Sequence, residues 1–139
     1  MRVKKLNSNR EILIRTSKYL IDWENDGDSS LEVKFRDLIK PYWIHQIVLH
    51  QFVIPGSRMR IDFLNCNKKI AVEINGNQHE NYNKFFHRGS RIIWLEQIKR
   101  DIEKFEWCNL NGIKFLELKK EDLDNFSPEY IKEKFQLEI

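Results

Sequence analysis

Asp62 and Glu73 are the two side chains whose types and spacing best suit chemistry in this 139-residue chain. Ile61 and Phe63 alternate with Asp62 and Leu64, and Ile70, Val72 and Ile74 alternate with Ala71 and Glu73, so each stretch reads as a strand with one apolar face. The polar, turn-like segment from Asn65 to Lys69 predicts that the two pair as a hairpin. A one-residue slip would throw a whole apolar set into water, so burial selects the register. Ile61 then stands opposite Ile74 and Phe63 opposite Val72, with Cys66 to Lys69 as the loop, and Asp62 faces Glu73 across the pair. Directly opposed residues have Cβ atoms roughly 4.5–5.5 Å apart, where like charges repel unless something neutralises them. A divalent cation meets that need. Mg²⁺ binds through one or two carboxylates plus phosphate oxygens and waters, polarises a phosphoryl oxygen and lowers the pKa of a bound water. The bland alternative is that both acids face solvent on a half-exposed sheet.

His79 lies six residues beyond Glu73, after Asn75-Gly76, where a tight turn would bring it back over the carboxylates. A histidine with a near-neutral pKa can take a proton from an attacking water. His45, His50 and His87 read as surface side chains. Asp101 and Lys104 are three apart on a helical stretch and share a face; they reach the sheet margin or form a solvated ion pair worth little. Arg58, Arg60, Lys68 and Lys69 around the hairpin, and Arg88, Arg91, Lys99 and Arg100 further on, could contact phosphates or make a solvated basic face.

The elements that must position these residues follow from the chain in order. Residues 1 to 7 are basic and read as a frayed end, and Ser8 to Trp23 carries Ile12, Leu13, Tyr19, Leu20 and Trp23 at loosely helical spacing. Ser29-Ser30-Leu31-Glu32 is a capping-box pattern for a helix that runs through Phe35, Leu38 and Ile39 and stops before Pro41. On that pattern alone Glu32 does no more than hold its own helix end. Ile44 to Ile54 is rich in β-branched and aromatic residues and reads as a strand containing Gln51, and Pro55-Gly56-Ser57 as a turn. Asn75 to Gly89 reads as a loop at the mouth of the hairpin. Ser90 caps a long helix with a core stripe of Leu95, Ile98, Ile102 and Phe105, which Asn111-Gly112 ends. Ile113 to Leu118 is a short strand, and Ser127-Pro128 opens a last helix. The pattern predicts a mixed α/β sheet flanked by helices, with an N-terminal extension and helix (1–28), a core (29–118) and a C-terminal helix (119–139) in one domain.

Length allows a single real core, and 41% hydrophobic with 32% charged residues describes a globule, not a disordered tail. No apolar run reaches the ~18 residues of a membrane span and no signal-peptide pattern follows the basic start, so the expected setting is cytoplasmic and free of membrane. Cys66 and Cys108 form no C-x-x-C pair and fit reduced thiols. Residues 117–139 hold four lysines against seven acids, a balance of −3, so the remainder of a chain with net charge +3 carries +6. A mildly basic body suits a phosphate-backbone partner, and many proteins without one.

Taken together, Ser-Ser-Leu-Glu at 29–32, Gln51, Arg60-Ile61-Asp62-Phe63, Ala71-Val72-Glu73-Ile74-Asn75-Gly76-Asn77-Gln78-His79, Asp101 with Lys104, and Asn111-Gly112-Ile113 form an ordered set. It resembles the PD-(D/E)xK nuclease superfamily, in the branch related to very short patch repair endonuclease and the EDxHD homing endonucleases of phages and introns. The match covers about residues 29–118. The resemblance implies a restriction-endonuclease-like αβββαβ core and hydrolysis of double-stranded DNA supported by Mg²⁺ or Mn²⁺, in a bacterial or phage-infected cell. It implies Asp62 and Glu73 as metal ligands with the backbone carbonyl of Ile74 beside them, His79 as base or water-orienting group, and Glu32 and Asp101 completing the acidic set. Lys104 falls where relatives tend to carry Arg. Two positions depart from the pattern: Ile61 replaces the Pro of the superfamily name, and Asn75 replaces the Lys two residues after the second acid. Either His79 substitutes for that lysine, or another lysine such as Lys69 or Lys104 does, or catalysis is weak.

The expectation is therefore a metal-dependent DNA endonuclease of homing or repair type. Its rivals are a DNA-binding or partner-binding module on a decayed nuclease fold and a structure-selective junction resolvase. Cutting both strands with one site per chain favours a symmetric homodimer, for which the apolar first helix is a candidate interface.

Overall fold

The computed structural model describes residues 1–25, 29–75 and 91–139. An N-terminal hairpin of β1 (Arg2–Lys4) and β2 (Glu11–Leu13) leads into α1 (Ser30–Trp43). Three strands follow, β3 (Val48–Val53), β4 (Arg60–Asn65) and β5 (Ile70–Ile74), then the long helix α2 (Arg91–Leu110) and β6 (Lys114–Leu118). Short helices α3 (Lys120–Asp124) and α4 (Pro128–Phe135) close the chain. The protein is mixed α/β: its four-stranded sheet has the order β3-β4-β5-β6, antiparallel except for the parallel β5–β6 pair. None of the helices among the described residues is long and apolar enough to cross a membrane.

The central hairpin forms in the register that burial demands: Phe63 pairs with Val72, Leu64 with Ala71 and Asn65 with Ile70. Phe63, Val72, Leu116 and Leu118 pack with Phe35, Ile39 and Trp43 of α1. Leu49, Leu64 and Ala71 pack with Trp107 and Cys108 of α2. The two helices thus cover opposite faces of the sheet. One side chain breaks the expected alternation. Ile61 is buried with Phe52 and Ile54 under the α2 face, and not with Phe63 and Val72. The change falls at Gln51, which sits between the His50–Phe63 and Phe52–Ile61 pairs with a left-handed φ of 52°. A left-handed residue within a strand resets the faces to which its neighbours point.

Two N-terminal expectations are overturned. Residues 2–4 are not frayed but paired with residues 11–13, and Val3 is buried with Trp107 and Ile61. Lys4 N–H donates to Asn111 Oδ1 at 2.7 Å, while Trp107 Nε1 donates to the Lys4 carbonyl at 2.8 Å. The anticipated helix from Ser8 to Trp23 is replaced by β2, one 3-10 turn (Thr16–Lys18) and an extended stretch along β3. In that stretch His50 N–H donates to Tyr19 and Ile21 N–H to Val48. Loose apolar spacing fits a helix or a short strand equally well, and docking on the sheet decided the matter. The dimer interface was expected on that helix, and the stretch that replaces it leaves Leu13 73% and Leu20 54% exposed.

Helix α1 opens as the capping pattern requires, with Ser29 Oγ accepting from Glu32 N–H at 3.3 Å. It runs past Pro41 to Trp43, beyond the expected stop. Trp43 is 0% exposed, and burying that indole outweighs the backbone bond that proline forfeits. Helix α2 ends as expected, with Gly112 at φ 67° and Ile113 N–H reaching back to the Cys108 carbonyl at 2.8 Å. Ser127 caps α4 with Pro128 at its first position. The stripe assigned to the α2 core is corrected: Leu95, Ile102 and Phe105 are 46%, 51% and 54% exposed, and the buried residues are Trp107 and Cys108. The helix is rotated so that Gln97, Asp101 and Lys104 look onto a polar cavity.

Candidate active site

The cavity has a volume of about 270 Å³ and is lined by Asp62, Glu73, Ile74, Asn75, Gln97, Asp101, Lys104, Phe115 and Glu117. Three elements build it. β5 presents Glu73 on the face opposite Val72, so the alternation that buries Val72 under α1 aims Glu73 at α2. β6 lies parallel with Glu117 directly beside Glu73. α2 contributes Gln97, Asp101 and Lys104, spaced four and three apart on one side of the helix. Lys104 Nζ donates to Glu73 Oε1 at 2.9 Å, and both side chains are only 15% exposed. Gln97 Nε2 donates to Asp101 Oδ1 at 3.2 Å, and Asn75 Nδ2 to Glu117 Oε1 at 2.5 Å.

Asp62 sits where β4 and β5 part. The regular pairing ends at Phe63 and Val72, and beyond it the Asp62 carboxylate takes over the backbone of the partner strand, accepting from Ile74 N–H at 2.8 Å. Its other oxygen accepts from Gln51 Nε2 at 3.2 Å. The same Gln51 nitrogen donates to Glu32 Oε1 at 2.8 Å, so Glu32 on α1 is joined to Asp62 through one amide. Glu32 divides its oxygens: Oε2 accepts from Ser29 Oγ at 3.0 Å at the helix end, and Oε1 faces Gln51. The helix-cap role read from sequence is correct and incomplete. His50, expected at the surface, is half-buried against Phe63 with Nε2 3.5 Å from Glu32 Oε1. His50 first, then Ser29 and Gln51, hold the Glu32 carboxyl below its ordinary value against the opposing effect of burial.

The residues expected to act together divide into three groups. Asp62, Glu73, Ile74, Asp101 and Lys104 line one cavity, and Glu32 reaches it through Gln51. His79 and Arg88 lie outside the described residues, as does the side chain of Arg91. Arg58, Arg60 and Arg100 are exposed, the first two at the end of β4 nearest Asp62. Lys68 and Lys69 are exposed in the turn at the other end of the hairpin, beside Lys114. They therefore do not border the cavity, and Lys69 is not its lysine. Glu117, Gln97 and His50 are site residues that sequence reasoning missed. The alternation of Leu116 and Leu118 with Glu117 was a signal for its face, but which strand it would adjoin was not written locally.

The electrostatics follow from crowding. Burial, and then the Asp62 carboxylate with which it shares a hydrogen bond, push the Glu73 carboxyl up from 4.5 to about 8, against the pull of Lys104. Two acids that cannot both ionise cheaply will hold a proton or a cation between them. Among the described residues no three His, Cys, Asp or Glu side chains gather as a metal-binding group. Mg²⁺, however, needs only one or two protein carboxylates and keeps its waters. The Asp62–Glu73 pair with the neighbouring Ile74 carbonyl fits that demand, and the ammonium already on Glu73 shows that the site accepts positive charge.

No family model and no solved structure matches the chain. Two viral proteins resemble part of it. Uncharacterized protein 033L of Invertebrate iridescent virus 3 is 32% identical over 65 residues, which is 47% of this chain and 33% of the relative. Uncharacterized protein 094L of Frog virus 3 (isolate Goorha) is 35% identical over 63 residues, 45% of this chain and 41% of the relative. The chain thus spans well under half the length of these relatives.

Proposed function

We propose that the protein is a metal-dependent DNA endonuclease of homing or repair type, built on a restriction-endonuclease-like αβββαβ core. The observation that carries this reading is the convergence of Asp62, Glu73, Asp101 and Lys104 on one polar cavity, with Glu32 tied to Asp62 through Gln51. The order of α1, β3, β4, β5, α2 and β6 supports the core assignment. The viral setting of the two relatives suits an enzyme that acts on DNA in an infected cell.

Asp62, Glu73 and the Ile74 carbonyl would hold Mg²⁺ or Mn²⁺. When bound, the ion supplies Lewis-acid stabilisation of a phosphoryl oxygen and a more acidic water. The protein's own groups do the rest. Gln51 and Ile74 N–H hold both Asp62 oxygens in place, so the ligand is oriented before substrate arrives. His79, on its sequence position, takes a proton from the attacking water. The water oxygen bonds to phosphorus as the P–O3′ bond breaks. The proton taken by His79 passes to solvent, the leaving 3′ oxygen takes a proton from solvent, and the second water proton stays with the new 5′-phosphate until solvent removes it. Arg58 and Arg60 lie exposed at this end of the sheet, where the DNA backbone would run.

Nicking of supercoiled plasmid tests the reading. Cleavage in Mg²⁺ that is lost in EDTA and in Asp62→Ala is expected. Cleavage untouched by both treatments rejects the site. A second reading, a DNA-binding module that does not cut, is favoured by the lysine seated on Glu73 and by Asn75 at the usual lysine position. It predicts salt-dependent DNA binding without strand breaks in any divalent metal.

A further inference from the structure

Helix α2 carries Ile98, Ile102 and Phe105 at helical spacing, yet the sheet beneath it meets Trp107 and Cys108 instead. Ile102 and Phe105 stay 51% and 54% exposed. They form one wall of a hollow of about 500 Å³, which Phe115 of β6 and Phe135 at the end of α4 complete. Phe105 and Phe115 meet edge to face, with ring centroids 6.4 Å apart and planes at 89°. Large apolar side chains left open around a concavity mark a place where something binds.

Position and charge say what enters. The hollow shares Asp101, Phe115 and Glu117 with the polar cavity, so the two are neighbours across one wall. Glu117 stands directly beside Glu73, a strand spacing of roughly 4.8 Å away. A protein partner seated here would cover three residues of the cavity itself, whereas a part of the substrate would not compete with it. Asp101 and Glu117 at the inner end repel phosphate and accept hydrogen bonds from N–H groups. At the outer end an adjoining hollow of about 390 Å³ shares Phe105, Phe115 and Phe135 and reaches exposed Lys114. Aromatic walls between an acceptor end and a cation match one nucleotide, a ring with stackable faces and N–H donors at its edge, joined to a phosphate.

Resting on the nuclease reading, we propose that this hollow takes one unstacked nucleobase of the DNA strand that is cut beside it. The base lies against Phe105 and Phe115 with its N–H edge toward Asp101 and Glu117, and the strand leaves past Lys114. A base inside a duplex reaches such a pocket only by leaving the stack, a step that costs least where the nucleotide is already unpaired. The substrate class is therefore DNA with an unpaired nucleotide next to the cut, in preference to uninterrupted duplex.

Fluorescence anisotropy tests the pocket apart from the chemistry. A labelled duplex oligonucleotide and the same duplex with an internal unpaired bubble are titrated with the full chain in Ca²⁺ over a range of salt. Wild type is compared with Phe105→Ala, Phe105→Leu, Phe105→Trp and Lys114→Ala. Stacking on an aromatic side chain is worth about 5- to 150-fold in affinity per base. Phe105→Ala and Phe105→Leu should lose that factor on the bubble and nothing on the duplex, while Phe105→Trp keeps a ring face and the affinity. The slope of log affinity against log salt should not change in the Phe105 variants, and should become shallower by about one in Lys114→Ala.

Phe105→Ala that binds the bubble as tightly as wild type overturns the pocket, and plasmid nicking that persists leaves the nuclease reading standing. Equal losses on bubble and duplex with an altered salt slope would make Phe105 a structural residue and reject the pocket as well. Should Phe105→Ala fail to fold, Phe105→Leu keeps the apolar bulk without the ring, and full bubble affinity in it sinks the idea. A wild-type dimer in sedimentation that Phe105→Ala splits would give this face to a second copy instead. Bubble affinity lost as expected in a chain that never nicks in Mg²⁺ or Mn²⁺ upholds the pocket and removes the nuclease reading.

Discussion

Glu73 on β5 and Glu117 on β6 are direct partners across the parallel pair, on the sheet face that α2 covers. Two acids side by side, with Asp62 and Asp101 around the same cavity, make a field that favours cations. In Mg²⁺ or Mn²⁺ the folded chain should therefore gain stability, by about 2.7 kcal/mol at a hundredfold excess over Kd. Glu117→Gln should weaken this gain and Asp62→Ala should remove it. Thermal unfolding with and without the ion reads the difference, and an equal rise in wild type and Asp62→Ala would disprove binding at this pair.

Without divalent ions Glu73 makes stability depend on pH in an unusual direction. Burial and Asp62 raise its carboxyl to about 8 in the fold, against 4.5 in the open chain. Between those values the native state binds more protons than the unfolded state, so stability falls as pH rises. Glu73→Gln should flatten that decline from about pH 5 to about pH 8. Urea unfolding in EDTA at several pH values measures it, and an unchanged slope in the variant would remove Glu73 as the cause.

Gln51 trades backbone strain for position. It holds φ 52° inside β3 and bridges Glu32 to Asp62. Glycine there should relieve roughly 1 kcal/mol of strain while cutting the link between Glu32 and Asp62. Gln51→Gly is expected to unfold at the same or higher urea concentration than wild type and to lose cleavage. Full cleavage in that variant would show that the bridge has no part in the site.

Asp122 ties the C-terminal helices together. It is 2% exposed and accepts from Lys119 N–H at 2.9 Å, from Tyr130 Oη at 2.7 Å and from Lys134 Nζ. Burial opposes its charge, yet the Lys119 backbone, Lys134 and Tyr130 together keep its carboxyl below 3.8. A depressed acid stabilises above its unfolded pKa and loses that contribution as pH falls through the folded one. Asp122→Ala should cost about 2 kcal/mol at neutral pH, from an orphaned cap donor and hydroxyl. The gap to wild type should narrow below pH 3.8 in acid unfolding, and a gap constant down to pH 2 would contradict it.

Cys108 is 0% exposed, and burial followed by the nearby Glu73 pushes its thiol up to about 12. It should resist iodoacetamide in the native state and react only on unfolding, whereas half-buried Cys66 should label earlier. Mass spectrometry of a labelling time course follows both, and prompt native labelling at Cys108 would refute the burial.

What the sequence determined alone was local. Alternation of Phe63 with Leu64 and of Val72 with Ala71 left one hairpin register that hides the apolar set, and that register brings Asp62 to Glu73. Ser29, Ser127 and Asn111-Gly112 ended their helices where the chemistry of orphan backbone groups requires it. The tertiary structure alone decided the rest, because each remaining question turned on a distant partner. Val3 became a buried strand residue only when Trp107, about a hundred positions away, offered its surface. The α1 helix passed Pro41 because Trp43 had a core to enter. Helix α2 turned Gln97, Asp101 and Lys104 inward because the sheet beneath carried carboxylates, which an apolar period cannot anticipate. Glu117 reached Glu73 through a parallel crossover, a contact that no local pattern specifies because its partner lies beyond a helix.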